Sequence, residues 1–246
     1  MGIKAGPKIV KDGLVFGIDA TVSRSYSGSG LTVFDLKYSG IGGTLINGTG
    51  FSSANGGSFF FDGTNDYIIS QNIDLSGTNA VSVTCWVKIL NYREVNNSSN
   101  VVYEFSSNFN GFSTGFVVGF ADGSSVWSGL YPVSVAIKGN AGYNLAGFAK
   151  TSVNDLAWHH WSCIFDKSIS GVEGLFYLDG RQLSPISTPL QSDNGNNYAV
   201  DKLYIGSRDG ANIPANANIT DIKLYNRALT AQEILQNYNA TKGRYR

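Results

Sequence analysis

The sequence predicts an all-β fold, an antiparallel sandwich with one C-terminal helix. Three observations lead there. Apolar side chains recur every second residue in several short runs, the spacing that places them on one face of an extended strand. Those runs are separated by Gly-, Asn- and Asp-rich turns, in a chain with 30 Gly among 246 residues. Composition supplies the filling for two packed sheets: 42% apolar residues, with 14 Phe, 13 Tyr and 4 Trp. All-β sandwiches of 200–250 residues often form one unit, so residues 13–246 are expected to be a single domain preceded by an N-terminal arm, residues 1–12.

The first strand is expected where Leu14, Phe16, Ile18 and Ala20 alternate with Val15, Gly17 and Asp19. Ser58 to Ile69 reads as a hairpin turning at Asp62-Gly63-Thr64-Asn65, and Val81, Val83, Cys85 and Val87 mark the core face of a further strand. Strand-forming runs follow at 101–105, 112–120 and 133–138. Trp158 to Leu183 reads as a three-strand meander. In it Trp161, Cys163 and Phe165 share a core face, and Asp179-Gly180 supplies the two positive-φ positions of a primed turn. Trp158 is expected in the core beside Phe165. Leu203-Tyr-Ile-Gly and Ile219 to Leu229 supply the last strands. The helix starts at Thr230, whose hydroxyl and Glu233 three residues on make a capping box. Leu229 and Ile234 form the staple, with Ile234, Leu235 and Tyr238 on the inner face.

Charge excludes some functions. Lys and Arg number 18, as do Asp and Glu, so the chain lacks the basic excess of a nucleic-acid binder or a polybasic membrane anchor. No apolar run is long enough for a membrane span or a signal peptide. Cys85 and Cys163 both fall inside strands on the apolar side, where free thiols pack as small hydrophobes; a disulfide is the alternative.

Several blocks carry a family likeness: Phe61-Asp-Gly-Thr-Asn-Asp-Tyr67, Trp86-Val-Lys88, Trp158-His-His160, Tyr177-Leu-Asp-Gly180 and Tyr225-Asn-Arg-Ala-Leu229. In this order they resemble laminin-G-like and pentraxin-like domains of the concanavalin-A-like superfamily, which implies that the antiparallel sandwich is a jelly roll. The opening, Lys8-Ile-Val-Lys-Asp-Gly-Leu-Val-Phe-Gly-Ile-Asp-Ala20 with the Ser25 and Ser52 loops, resembles laminin-G-like proteins of tailed phages, marine ones included. That likeness implies a virion structural protein (head decoration, fibre or tail appendage), partnered by other virion proteins and copies of itself and made in the host cytoplasm. The alternative is a lectin-like module that binds surface glycans; a glycoside hydrolase is the remote one.

Catalytic patterns are weak. His159 and His160 are adjacent and, on a strand, point to opposite faces, so they cannot hold one metal. Gly111-Phe-Ser-Thr-Gly115 matches a nucleophile elbow around Ser113, but a strand-like run follows where a helix is required. Glu94, Glu104, Glu173 and Glu233 are too scattered for the short acidic strand of laminarinase-like relatives. No enzyme is expected. Calcium, which the resemblance admits, would find oxygen ligands at Asp62, Asp66, Asp193 and Asp209, although turn chemistry explains these residues equally well. Trp127, Tyr131 and Tyr143, with Asn194 and Asn212, are the candidates for a glycan platform or a packing surface.

Overall fold

The computed structural model describes residues 7–37, 40, 42–91, 100–106, 114–120, 132–149, 153, 155–210 and 213–245. Its strands, in chain order, are β1 (Leu14–Ile18), β2 (Thr32–Phe34), β3 (Gly42–Ile46), β4 (Gly50–Ser52), β5 (Ser58–Asp62), β6 (Tyr67–Ser70) and β7 (Ile73–Asp74). The middle of the chain adds β8 (Ala80–Ile89), β9 (Asn100–Phe105), β10 (Gly115–Phe120), β11 (Val133–Gly139), β12 (Gly142–Phe148) and β13 (Trp158–Asp166). Then follow β14 (Gly174–Leu178), β15 (Arg181–Leu183), β16 (Ser187–Leu190), β17 (Val200–Asp201), β18 (Leu203–Ile205), β19 (Asn216–Tyr225) and the helix α1 (Ala231–Thr241).

Two antiparallel sheets face each other. One is eight-stranded, in the order β15-β14-β13-β8-β19-β5-β4 with β1 also on β19; the other is nine-stranded, β16-β12-β11-β10-β9-β18-β6-β3-β2. A small two-stranded ribbon joins β7 to β17. The fold is an all-β antiparallel sandwich with a C-terminal helix. Period-two alternation fills its core as expected: Val81, Val83, Cys85, Val87, Trp161, Cys163 and Phe165 lie in one buried cluster with Phe59, Phe105, Phe116 and Phe176. Both cysteines are free and buried, and burial pushes the Cys163 thiol up to about 12.

Four local expectations change. Ser58–Asp62 and Tyr67–Ser70 do not pair; β5 lies on β4 and β19 while β6 lies on β3 and β18, so the Asp62 turn is an arch between the sheets. Trp158 shares the parity of His160, not of Trp161, and is only partly buried on the outer face of the eight-stranded sheet. A bulge between Leu14 and Phe16 turns Leu14 away from Phe16 and Ile18, into a second cluster beneath α1 with Val10, Ile164, Tyr225 and Ile234. On α1, Leu235 is 42% exposed. The buried positions are Ile234, Asn237 and Thr241, still at helical spacing but polar in two of three.

Those polar groups are used. The Val10 N–H donates to Asn237 Oδ1 at 2.8 Å, the Tyr225 hydroxyl to the Val10 carbonyl at 3.1 Å, and Trp86 Nε1 to the Thr241 hydroxyl at 2.9 Å. Past α1 the chain stays on the same face. Tyr245 stacks on Trp86, ring centroids 4.3 Å apart, and tilts against Trp158 at 5.1 Å. The Arg244 guanidinium meets Asp19 at 3.0 Å.

Candidate functional site

The primed turn at Asp179-Gly180 has φ values of 51° and 79°, and Leu178 pairs with Arg181 across it. It packs on α1 so closely that a Cβ at Gly180 would sit 2.9 Å from Leu235 Cδ1 and 3.3 Å from Tyr238 Cδ1. The positive φ favours glycine there, and an added Cβ would also have to displace the Leu235 side chain. Beside this contact lies a groove of about 510 Å³, floored by Leu178, Leu183 and Leu235 and edged by Asp179, Arg181, Tyr238, Asn239 and Lys242.

The capping box holds the helix wall. Glu233 N–H donates to the Thr230 hydroxyl at 3.2 Å and Thr230 N–H to Glu233 Oε2 at 2.9 Å. Arg227 grips the same carboxylate through both terminal nitrogens, which together with the Thr230 bonds lowers Glu233 to about 2. On the turn wall Asp179 is fixed from behind. Its Oδ1 accepts the His160 N–H at 2.9 Å, and its Oδ2 lies 2.7 Å from His159 Nδ1. His159 Nε2 reaches Asp155 Oδ1 at 2.9 Å, and the hydrogen bond to Asp179, aided by Asp155, raises the imidazole above its ordinary value. Burial drives the neighbouring His160 down to about 3, so it stays neutral. Lys242 Nζ donates to Asn239 Oδ1 at 2.6 Å and lies 5.2 Å from the centre of the Tyr238 ring.

The residues singled out from sequence lie elsewhere. Tyr143, on β12, packs against the small apolar cluster of Val101, Val117, Ala136 and Leu145, with Lys138 Nζ 3.3 Å from its hydroxyl. Asn194 is buried; its Nδ2 and N–H donate to the Glu173 carboxylate and its Oδ1 accepts the Ala141 N–H at 3.0 Å, which makes it a loop pin. Trp127, Tyr131, Asn212, Ser113 and Glu94 lie outside the described residues.

The four aspartates of the calcium expectation do not assemble. Asp62 and Asp66 serve the arch, Asp193 accepts the Gly171 N–H and the Ser170 hydroxyl, and Asp209 sits in a separate turn at φ 35°. Among the described residues no three His, Cys, Asp or Glu gather as a metal set. The described glutamates are engaged too. Glu104 pairs with Arg208 at 2.9 Å, burial raising it to about 8; Glu173 is buried on Asn194; Glu233 caps α1. Among the described residues Asp179 is the one carboxylate lining the groove, so no pair of described acids faces one another there as in a glycoside hydrolase. A second concavity of about 450 Å³ lies along Arg24, Phe34 and Lys37, but its Asp35 is tied to the Gly17 and Lys37 N–H groups.

Sequence reasoning placed Asp179 in a turn and Tyr238 on the inner face of the helix, and missed Arg181, Asn239 and Lys242. An asparagine in the last helical turn with a lysine at the helix C-cap, both near a tyrosine, and an arginine directly after an Asp-Gly turn, were the available signals. Their convergence depends on the meander folding back onto α1, which no local pattern announces.

A laminin-G family model, described as the concanavalin A-like lectin/glucanases superfamily, matches residues 62–235, well over half of the chain. The chain belongs to the concanavalin A-like lectin/glucanases superfamily. A search of the curated proteins finds no match. Among solved structures, this superfamily member is similar to the botulinum neurotoxin serotype D binding domain in complex with N-acetylneuraminic acid (14% identity, TM-score 0.62, 92% of this chain and 50% of that one). The binding domain of Paraclostridial Mosquitocidal Protein 1 is similar at 15% identity, TM-score 0.60 and coverages of 93% and 52%. A Trypanosoma rangeli sialidase matches at 14% identity and TM-score 0.62, over 96% of this chain and 34% of that one. The chain thus spans about half the length of the toxin domains, and at these identities the likeness is one of fold.

These findings overturn the phage reading. The similar structures are toxin binding domains and a sialidase, so the virion role, the virion partners, the self-assembly contacts and the virion location are withdrawn. Residues 10–12 and 242–245 are fastened to the chain's own Asn237, Arg227, Asp19 and Trp86.

Proposed function

We propose that this chain is a non-catalytic carbohydrate-binding jelly-roll module whose ligand groove lies between the Asp179-Gly180 turn and α1. The observation that carries the reading is the Tyr238 ring set in a groove among Asp179, Arg181, Asn239 and Lys242. An aromatic face beside several polar side chains is the arrangement that takes up a sugar's C–H face while its hydroxyls meet donors and acceptors. The superfamily of lectins and glucanases supports it, as does the similarity to a toxin binding domain solved with N-acetylneuraminic acid. The engaged glutamates favour binding over hydrolysis.

A glycan array probed with the intact chain, with and without a calcium chelator, tests this. Saturable binding to one glycan class is expected, reduced at least tenfold in an Asn239→Ala, Lys242→Ala double variant of unchanged thermal stability. Binding that survives both substitutions, or turnover of the bound glycan, would refute it.

A further inference from the structure

The groove is chemically lopsided. Among the described residues the Arg181 side chain has no hydrogen-bonding or ion-pair partner, and Arg181 is exposed along the groove. Lys242 is steered by Asn239 and the Tyr238 ring but keeps ammonium hydrogens to donate. The acceptors are already engaged: Asp179 accepts at both oxygens, from His160 N–H and from the His159 ring, and Asn239 Oδ1 accepts from Lys242. Of the charged edge groups, two are cations, and the lone carboxylate has His159 behind it, itself shared with Asp155. What remains on offer is donor capacity and positive charge.

Resting on the carbohydrate-binding reading of this groove, we infer that its ligand is an acidic saccharide, with the sugar carboxylate held by Arg181 and Lys242 beside Tyr238. A guanidinium fork matches a carboxylate through two parallel hydrogen bonds, whereas a neutral sugar would leave both cations unmatched. The same arrangement makes affinity depend on His159. When the imidazole loses its proton, the negative charge of Asp179 is no longer balanced by Asp155's and Asp179's shared partner. An anionic ligand is then held less tightly, with neutral His160 unable to compensate.

The test uses the intact chain and isothermal titration with three probes of equal length: a hexuronic-acid oligosaccharide, its carboxyl-reduced neutral counterpart, and a sulfated neutral oligosaccharide. Sialylated glycans on the array form a fourth arm. Binding to a carboxylated probe at least tenfold tighter than to its neutral counterpart is expected. Arg181→Ala should remove that preference, Arg181→Lys should restore part of it, and affinity should fall as pH rises through the His159 titration. Equal binding of acidic and neutral probes, both lost in the double variant above, would keep the carbohydrate reading and overturn the acidic one. A preference for the sulfated probe alone would overturn the carboxylate assignment. Silence across every arm would remove both.

Discussion

Truncating Tyr245 to Ala should loosen the covering of the eight-stranded sheet's outer face. The side chain is 7% exposed, stacked on Trp86 and tilted against Trp158. A buried aromatic ring removes about 150 Å² or more from water, and at about 25 cal/mol per Å² that amounts to ~4 kcal/mol. A compact unfolded chain reduces this by up to about 40%, while stacking adds about 0.5–1.5 kcal/mol. Release of the neighbouring residues recovers about 1–2 kcal/mol of backbone entropy for each residue freed. The net loss should be about 2–3 kcal/mol, which for a chain of this size lowers Tm by about 5–10 °C. Thermal unfolding followed by circular dichroism measures it, and a red shift of tryptophan emission should accompany it as Trp86 and Trp158 meet water. A Tm within about 1 °C of the parent, with unchanged emission, would refute the account of this segment as part of the packed structure.

Four further outcomes are expected. Thr230→Ala should cost about 1 kcal/mol by removing the helix cap, read as a lower urea midpoint with unchanged slope. Gly206→Ala should destabilise by about 2–4 kcal/mol, because φ is +83° and the new methyl would lie 2.3 Å from Phe61 Cδ1; unfolding in guanidinium measures it. Glu233 is lowered from 4.5 to about 2 in the folded chain, so its contribution is full above 4.5 and lost as pH falls through about 2. Tm should therefore fall less steeply on acidification in Arg227→Met than in the parent. His159 is raised above 6.5, so its contribution is full below 6.5 and lost as pH rises through the raised value; the difference in Tm between the parent and His159→Gln should shrink over that rise.

What the sequence could reveal depended on how local the cause was. The faces of Trp161, Cys163 and Phe165, the Asp179-Gly180 turn and the Thr230–Glu233 box are set by residues a few positions apart, and each stands as read. The Asp62 turn was equally local, yet the same turn chemistry serves a hairpin or an arch, and only the partners of β5 and β6 distinguish them. Asn237 and Thr241 escaped because a search for apolar spacing passes over buried polar groups whose partners, Val10 and Trp86, are more than 150 residues away. The groove was hidden for the same reason, since Arg181 and Lys242 meet only after the meander and α1 are packed.

The central pairing of the eight-stranded sheet has a kinetic consequence. β8 lies between β13 and β19, so Val83 is matched to Cys163 on one side and Leu224 on the other. The meander β13-β14-β15 can zip from its own turns, but β8 must close a long loop to reach it, and β19 a longer one to reach β8. Loop entropy is lost before those contacts form, which places folding in the slow regime of about milliseconds to seconds. The helix follows β19 directly and packs on Tyr225 as well as on Ile164 and Tyr177, so a chain whose β19 is unpaired would hold every strand of the meander yet leave one wall of the groove unplaced.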